Sequence, residues 1–415
     1  MDQEACIMKG IIEAAKAVES KIIENRHALH QIPEIGFDLP ATAAYIKEQL
    51  REIGIEPKDC GGPVALEVRE KFHSAGFPDM ANCTGITATI GQGEPCILLR
   101  SDMDALPMKE TSGLTFASQN NFAHTCGHDS HAAMLLGAAR ILKSVESELK
   151  GTVKLMFQPG EELGYGSKLM IDAGLMENPK VDAALAVHVM SDVEAGQVQY
   201  VKGIASAAMD TYMLKIKGKG GHSSMPHKAV DPNMIMTQLY TALNLLPGRE
   251  VDPQETVIVT AGKAAGGSAA NIIPDTAELQ VGIRSYNREA RTHLLQRVPE
   301  MIDHYVKAWR GEYDMVKFST PSTYNSADLC DVLLPCVQEA AGSEKVVEVT
   351  KPLPGSEDFS YISDLVPGLF LMLGAGKPGA FPMHNPNMVL DESVFATGAA
   401  IYANCAAGWL AAKAK

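Results

Sequence analysis

The chain has 415 residues, more than one hydrophobic core usually accommodates, so we expect two packed units. Lys and Arg number 36 against 50 Asp and Glu, which gives a formal net charge of -14, and no basic run is present. Because phosphate binding depends on clustered basic side chains, this charge argues against a nucleic-acid partner.

The two ends of the sequence argue against export and against a membrane span. Residues 1–21 lack the basic start, the continuous apolar middle and the small-residue cleavage site of a secretory signal, so we expect a cytoplasmic protein. Residues 394–412 approach the length of a span, but they are mostly Ala and Gly and contain Thr397 and Asn404. We expect a buried helix there and no membrane partner.

Helical and strand-like segments alternate in the first half of the chain. Apolar residues recur at helical spacing within residues 4–54. Short apolar runs follow at 84–91, 96–106, 151–160 and 182–189, with a helix-like segment at 131–145. This alternation predicts an α/β fold with a mostly parallel mixed sheet flanked by helices, in which reactive side chains gather where strands end.

The pattern changes after Gly203. Segments at 210–218, 255–262, 276–285 and 313–320 read as strands, and helix-like segments at 234–246 and 294–309 separate them. The order strand-helix-strand-strand-helix-strand is typical of a ferredoxin-like α+β unit. We therefore predict that residues 204–320 are a domain inserted between two parts of the larger domain, 1–203 and 321–415.

The stretch HTCGHDSH, residues 124–131, places a thiol and three imidazoles close together. Cys126 and His128 are two residues apart and can reach one small volume from a turn at the mouth of a sheet. By itself the stretch fits a metal site, a Cys-His nucleophile pair or an ordinary surface loop.

Other segments favour metal. Glu161 and Glu162 follow a buried strand, His188 ends an apolar run, and His384 lies in a Pro-rich turn before the last helix. With Cys126 and His128, these side chains provide five donors besides Glu161. Five donors exceed one tetrahedral site and suit two cations with open positions for water and substrate. Glu161 is then free to act on the water as a base.

Seven segments in this order resemble one family: HTCGHDSHAAM, QPGEE, VHV, GKGGHSSMPH, SAANIIPDTAELQVGIRS, GSEDFSY and MHNPNM. The sequence resembles the amidohydrolase branch of the aminoacylase and carboxypeptidase-like dinuclear metallopeptidases. That branch includes hippurate hydrolases, N-acyl-L-amino-acid amidohydrolases and plant indole-acetyl-amino-acid hydrolases. The resemblance extends from residue 26 to the last helix and is specific for the family but not for the substrate.

The resemblance implies roles for individual residues. It implies that two divalent metal ions, zinc, manganese or cobalt, are bound by Cys126, His128, Glu162, His188 and His384, with Glu161 as the general base. In the inserted domain, His222 matches a histidine that stabilises the oxyanion, often from a partner subunit. Asn271 and Arg284 match positions that hold the substrate carboxylate, and Gly355 and Ser356 line the pocket. The inserted domain is then a lid and dimerisation domain, in a homodimer or higher homo-oligomer.

Four further residues are candidates for orienting the ligands. Asp102 and Asp104 follow a buried strand, and Asp129 and His131 lie beside the ligand motif. Residues 61–83 form a stretch longer than the corresponding loop in relatives, which we expect to shape the acyl pocket or a subunit contact, or to be a tolerated insertion.

The expected reaction is hydrolysis of an N-acyl amino acid to a carboxylic acid and a free amino acid, by attack of a water activated between the two metals. Three alternatives remain open at this point. The same site could serve a metallo-exopeptidase that cleaves dipeptides, the fold could belong to a binding protein without activity, or Cys126 could be the nucleophile of a cysteine hydrolase.

Overall fold

The computed structural model describes residues 2–414, with side chains described from residue 10 onward. The helices are α1 (Asp2–Ala17), α2 (Glu19–His30), α3 (Pro40–Glu52), α4 (Leu66–Ser74), α5 (His128–Ser144), α6 (Gly166–Asp172), α7 (Pro232–Leu245), α8 (Pro247–Glu250), α9 (Arg288–Ala308), α10 (Ala327–Ala341), α11 (Ser360–Ser363) and α12 (Phe395–Lys413).

The strands are β1 (Lys58–Asp59), β2 (Gly62–Pro63), β3 (Asn82–Cys83), β4 (Ile86–Gly91), β5 (Cys96–Asp102), β6 (Thr152–Gln158), β7 (Ala183–Glu194), β8 (Val198–Tyr200), β9 (Gly203–Ile204), β10 (Ala208–Lys217), β11 (Gly221–His222), β12 (Val257–Gly266), β13 (Ile272–Ile273), β14 (Thr276–Ser285), β15 (Glu312–Thr320), β16 (Tyr324–Asn325), β17 (Val346–Glu348) and β18 (Gly368–Gly376).

The larger sheet has the strand order β1-β4-β6-β5-β7-β18-β8-β17 within the described part of the chain. Its centre is parallel, since β5 pairs in parallel with β6 and β7, and β18 with β7. Strand β4 pairs antiparallel with β6, so the sheet is mixed. This architecture confirms the predicted α/β fold class.

Helices cover both faces of this sheet, which explains the continuous apolar runs in its strands. Every residue of β5 and of β6 is buried. Ile97 and Leu99 of β5 join the core under α1, α2, α5 and α12, whereas Leu98 joins a second core with Phe359 on the opposite face. Alternate side chains of one strand thus fill two different cores.

Helix α12 is the Ala-rich segment that approaches membrane-span length. Among the described residues, one helical stretch, Glu392–Lys413, is long and apolar enough to cross a membrane, but 78% of its apolar window is buried inside the protein. It packs against α1, α5 and α10. The burial confirms the prediction of a core helix.

A second, antiparallel sheet forms after residue 203, in the order β12-β14-β10-β15. Tyr212 and Leu214 of β10 and Val281 of β14 form its core with residues of α7 and α9. The chain order of these elements is the strand-helix-strand-strand-helix-strand order predicted for a ferredoxin-like unit. We propose 1–203, 204–320 and 321–415 as the division of the chain.

Candidate metal centre

The candidate site lies where the central parallel strands end. Strand β5 ends at Asp102, and β6 ends at Gln158, just before Glu161 and Glu162. Strand β7 continues to Glu194, so His188 lies within a strand rather than at its end, opposite Met372 of β18. The carboxyl ends of parallel strands share one edge of a sheet, and this geometry brings residues distant in sequence together.

The structure brings together all five residues expected to bind metal. The Cys126 Sγ lies 3.3 Å from His384 Nε2 and 3.6 Å from His188 Nε2. The Glu162 Oε1 lies 3.4 Å from His384 Nε2 and 3.9 Å from His128 Nε2. The donors therefore form two groups that share Cys126. One group is Cys126, His128 and His188, and the other is Cys126, Glu162 and His384.

The donor atoms face the cluster because the other ring nitrogens are engaged elsewhere. His128 Nδ1 donates to the Asp104 carbonyl oxygen at 2.9 Å, and His188 Nδ1 donates to the Val189 carbonyl oxygen at 2.6 Å. The Nε2 of each ring is thus left with a lone pair.

Unpartnered polar atoms point to what the cluster binds. Within the part of the chain that the structure describes, His128 Nε2 and Glu162 Oε1 are buried without a hydrogen-bond partner. Such atoms are costly to bury unless a partner is supplied. Burial lowers the pKa of His188 well below its usual range, and the neighbouring His131 ring adds to this shift. A neutral imidazole, a carboxylate and a thiol in two overlapping groups fit two divalent cations.

Two aspartates near the candidate ligands are bonded to neighbouring groups of the site. Asp102 Oδ1 accepts from His131 Nδ1 at 2.5 Å, and His131 Nε2 accepts from the Val189 amide at 2.8 Å. Asp104 accepts from the backbone amides of Glu161 and Glu162, each at 3.1 Å. Both ring nitrogens of His131 are thereby occupied, which distinguishes it from the candidate ligands.

Glu161 lies beside the cluster in a buried acidic setting. Its Oε2 is 3.9 Å from His128 Nε2, and its carboxylate lies in one group with Glu357 and Asp358. Burial raises the pKa of Glu161 well above its usual range, Glu357 adds to the shift, and Arg100 opposes it. A carboxyl group with a raised pKa is suited to take up and return a proton.

Sequence reasoning missed the residues that surround Glu161. Arg100, in the middle of the buried strand β5, donates to Asp102 at 2.7 Å, to Glu357 at 2.8 Å and to Asp358 at 3.1 Å. The available signal was a charged residue inside an apolar run, together with the adjacent acids of GSEDFSY. Buried charges of this kind require partners, and here one partner lies on the same strand while the other two are adjacent residues of a distant segment.

The predicted oxyanion histidine and its neighbour lie in the second domain. His222 on β11 is opposite Ile272 on β13, and the Ser223 amide donates to the Asn271 carbonyl oxygen at 3.1 Å. The short two-stranded ribbon formed by β11 and β13 therefore holds His222 beside Asn271. His222 Nδ1 accepts from the Ser224 amide at 3.1 Å, so its Nε2 is the nitrogen with a hydrogen to donate. Both side chains are exposed, and among the described residues no hydrogen bond joins them to the five clustered donors.

Arg284 lies beside the loop expected to line the pocket. Its Nη1 donates to the Pro354 carbonyl oxygen at 2.9 Å, next to Gly355 and Ser356. Within residues 10–414 no carboxylate pairs with Arg284. Its remaining guanidinium donors are therefore free to bind a carboxylate from outside the chain.

Comparison with known proteins agrees with this geometry. A model of peptidase family M20/M25/M40 matches residues 98–407. The chain is 35% identical to N-acetyl-L-cysteine deacetylase of Bacillus subtilis over 91% of this chain and 85% of that one. It is 33% identical to IAA-amino acid hydrolase ILR1-like 4 of Arabidopsis thaliana, covering 93% and 84% of the two chains. It is also 33% identical to thermostable carboxypeptidase 2 of Saccharolobus solfataricus, over 94% and 95%.

A solved structure gives the same result at the level of the whole fold. The Bacillus subtilis YXEP protein, described as a dinuclear metal binding peptidase from the M20 family, superposes with a TM-score of 0.74. It is 28% identical and covers 95% of this chain and 99% of its own. The chain belongs to peptidase family M20/M25/M40 and is a metal-dependent hydrolase of amide or peptide bonds.

Proposed function

We propose that the protein hydrolyses N-acyl amino acids, with an acetyl, benzoyl or other acyl group, to a carboxylic acid and a free amino acid. The observation that supports this most directly is the buried Glu161 carboxyl beside five converging donor side chains. Relatives named as a deacetylase of N-acetyl-L-cysteine and as an IAA-amino acid hydrolase act on substrates of this kind.

The proposed metal ligands are Cys126, His128, Glu162, His188 and His384, in agreement with the description of the YXEP protein as dinuclear. Two divalent cations held there, zinc, manganese or cobalt, would polarise the substrate carbonyl and increase the acidity of a water. The mixed nitrogen, oxygen and sulfur donors are compatible with each of these metals.

Glu161 has the position and the environment of a proton carrier. We assign to its carboxylate the uptake of the proton from the attacking water and its return to the leaving amine nitrogen. The surrounding carboxylates of Glu357 and Asp358 favour the protonated form, whereas Arg100 favours the ionised form. This balance suits a group that must exist in both states during one turnover.

Residues of the second domain bind and polarise the substrate. His222 donates from Nε2 to the developing oxyanion, and a single donor of this kind in a hydrolase reduces the barrier by about 3 kcal/mol. Arg284 forms a forked pair with the substrate carboxylate, and Asn271 adds a directional contact. The backbone of Gly355 and Ser356 lines the pocket beside Arg284.

The same site could cleave dipeptides, and the relative named as a thermostable carboxypeptidase supports this second candidate. A substrate panel separates the two. We expect N-acetyl and N-benzoyl amino acids to give a higher kcat/KM than dipeptides with the same carboxyl-terminal residue. Faster hydrolysis of the dipeptides would identify an exopeptidase.

Arg284→Ala tests the recognition of the carboxylate. We expect KM for an N-acyl amino acid to rise roughly 10- to 100-fold, because a bidentate contact to a charged group is lost, while kcat changes little. The corresponding amino acid amide, which lacks the carboxylate, should be hydrolysed equally by both proteins. Arg288→Ala, which removes an exposed ion pair with Asp364, is the control. Unchanged KM for the acid would remove Arg284 from substrate binding.

We further propose that the chain is cytoplasmic and forms a homodimer or higher homo-oligomer. The edge strand β12 exposes Ile258, and α7 exposes Met234 and Tyr240. Exposed apolar side chains on an edge strand and a neighbouring helix are common at subunit contacts. Sedimentation of the purified protein tests the oligomeric state.

A further inference from the structure

A set of hydrogen bonds around a buried histidine, separate from the five candidate ligands, links the segments on the two sides of their cluster. It is centred on His30, the last residue of α2, whose side chain is 4% exposed. His30 Nδ1 lies 2.8 Å from Oδ2 of Asp129, and His30 Nε2 lies 3.1 Å from Oε2 of Glu110. Since each ring nitrogen faces a carboxylate oxygen, both nitrogens donate, in opposite directions.

The first direction leads to His128. Asp129 follows His128 in the first turn of α5. Its Oδ2 also accepts from Arg26 Nε at 3.1 Å, and the Arg26 side chain is fully buried and bound to Glu392 at 2.6 Å. Two donors from α2 therefore fix the turn of α5 that positions His128.

The second direction leads into the segment 107–122. An antiparallel bridge between Leu106 and Ala123 closes this segment at its base. Inside it, Glu110 accepts from the Ser118 amide at 2.7 Å and from the Ser112 hydroxyl. The contact with His30 thus fixes an acidic side chain that organises the whole segment.

The segment 107–122 in turn contacts the turn that contains His384. Thr111, the neighbour of Glu110, donates its amide to the Pro386 carbonyl oxygen at 2.8 Å and its hydroxyl to Asn387 Oδ1 at 2.7 Å. His384 itself has φ 61°, in the left-handed region that a side chain with a Cβ adopts only at a cost. That backbone needs support, and Thr111 provides part of it.

We infer that His30 is a positioning residue for the metal centre: through Asp129 it fixes His128, and through Glu110 and Thr111 it fixes His384. This inference rests on the proposed function, because it takes His128 and His384 as ligands. The expected consequence is geometric. Without His30, the two ligands lose one of the connections between their segments, while the bond from the His384 amide to the Thr125 carbonyl oxygen at 2.8 Å remains, and cation affinity falls.

The test compares His30→Gln with wild-type full-length protein in a chelator competition that measures the dissociation constants for two equivalents of Zn²⁺ or Mn²⁺. A glutamine cannot donate in both directions at once, so we expect at least one constant to rise roughly tenfold or more, as for other residues that orient metal ligands. His30→Arg, which keeps a cation with several donors between the two carboxylates, should recover part of the affinity. Excess metal should restore kcat in His30→Gln.

Asn25→Ala is the matched control. Asn25 is buried on the same helix and accepts from Tyr45 at 3.0 Å, without contact to Asp129 or Glu110. It should lower Tm and leave both metal dissociation constants unchanged, which separates positioning from general stability.

The outcomes are distinct. A folded His30→Gln that binds both equivalents as tightly as wild type overturns the inference. If His30→Gln does not fold, Thr111→Val decides, since Thr111 is exposed and the change removes only the bond to Asn387; unchanged affinity there also overturns it. Wild-type protein that binds no metal would instead overturn the proposed function itself.

Discussion

Two of the histidines around Cys126 differ from His131 in how their second ring nitrogen is fixed, and this difference separates the proposed ligands His128 and His188 from His131. In His128 and His188 one nitrogen donates to a backbone carbonyl and the other is left facing the cluster. In His131 both nitrogens are engaged. Within the motif HTCGHDSH, neighbours from other segments thus separate His128 from His131.

At the same scale, Glu161→Gln separates proton transfer from metal binding. An amide cannot accept the proton, so kcat should fall by roughly two to four orders of magnitude. Metal content, measured by elemental analysis, should stay at the wild-type value because Glu162 is unchanged. Glu48→Gln, an exposed substitution, is the control. Full activity in Glu161→Gln would rule out this base.

His30 should also make stability depend on pH. Burial lowers the pKa of His30. The charge of Asp129 and the hydrogen bonds to Asp129 and Glu110 outweigh this effect and raise the pKa to about 9. The protonated ring therefore stabilises the fold fully below its unfolded pKa of 6.5, and the stabilisation is lost as pH rises through about 9.

The measurement is the free energy of unfolding of wild type minus that of His30→Gln, by urea denaturation across this pH range. We expect the difference to shrink with rising pH, by about 3 kcal/mol at most. Asn25→Ala, which removes no titratable group from the same helix, should give a difference that does not vary in this way. A constant difference for His30→Gln would show that its ring is not protonated in the folded protein.

At the scale of elements, the loop between β6 and α6 presents Glu161 and Glu162 because it folds back on itself. The Gly164 amide donates to the Glu161 carbonyl oxygen at 2.7 Å, and the Gly166 amide donates to the Gly160 carbonyl oxygen at 3.2 Å. A Cβ at Gly166 would lie 1.7 Å from the Pro159 carbonyl oxygen, which leaves no room for a side chain.

Gly166→Ala should therefore displace this loop. We expect a loss of roughly 1 to 3 kcal/mol of stability, as for other overpacked positions, and a lower kcat because both glutamates move. Thermal unfolding and steady-state kinetics measure the two effects. Gly248→Ala, where a Cβ meets nothing within 4 Å, is the matched control and should neither lower kcat nor destabilise the protein, because alanine is the better helix former in α8. Wild-type kinetics in Gly166→Ala would mean that the loop tolerates the shift.

Helix α4 was not predicted from the sequence. Residues 61–83 were expected to form a long loop, but they contain α4, and Phe72 of that helix contacts Phe37 and Phe318 with ring centroids 5.0 Å away in each case. Phe318 belongs to β15 of the second domain. The helix has nine residues and few apolar positions, so its periodicity was too short to detect; packing against two domains stabilises it.

At the scale of the whole molecule, the proposed role of His222 involves the proposed arrangement of subunits. His222 and Ile272 are exposed on the ribbon of β11 and β13, while Glu161 lies in the other domain. We predict that a dimer allows His222 of one chain to complete the site of the other.

Mixing Glu161→Gln with His222→Ala tests this arrangement. Each variant alone should be nearly inactive. If the site is shared, subunit exchange should restore roughly a quarter of wild-type activity, because half of randomly formed dimers are mixed and each of these has one complete site. Activity that does not rise above that of the separate variants, in a sample shown to exchange subunits, would place His222 in its own chain's site.

The sequence by itself determined the fold class and the order of the main strands and helices of both sheets, and it predicted candidate reactive residues. Buried parallel strands require continuous apolar runs, and a two-residue period marks the half-buried strands of the second sheet, so both are readable from local pattern. Only the tertiary structure decided three features of the site. These are the convergence of Cys126, Glu162 and His384, the partners of the buried Arg100, and the two contacts of His30. These contacts join segments that are up to hundreds of residues apart. Local periodicity cannot predict them, because it does not show which side chains meet when parallel strands align at one edge of a sheet.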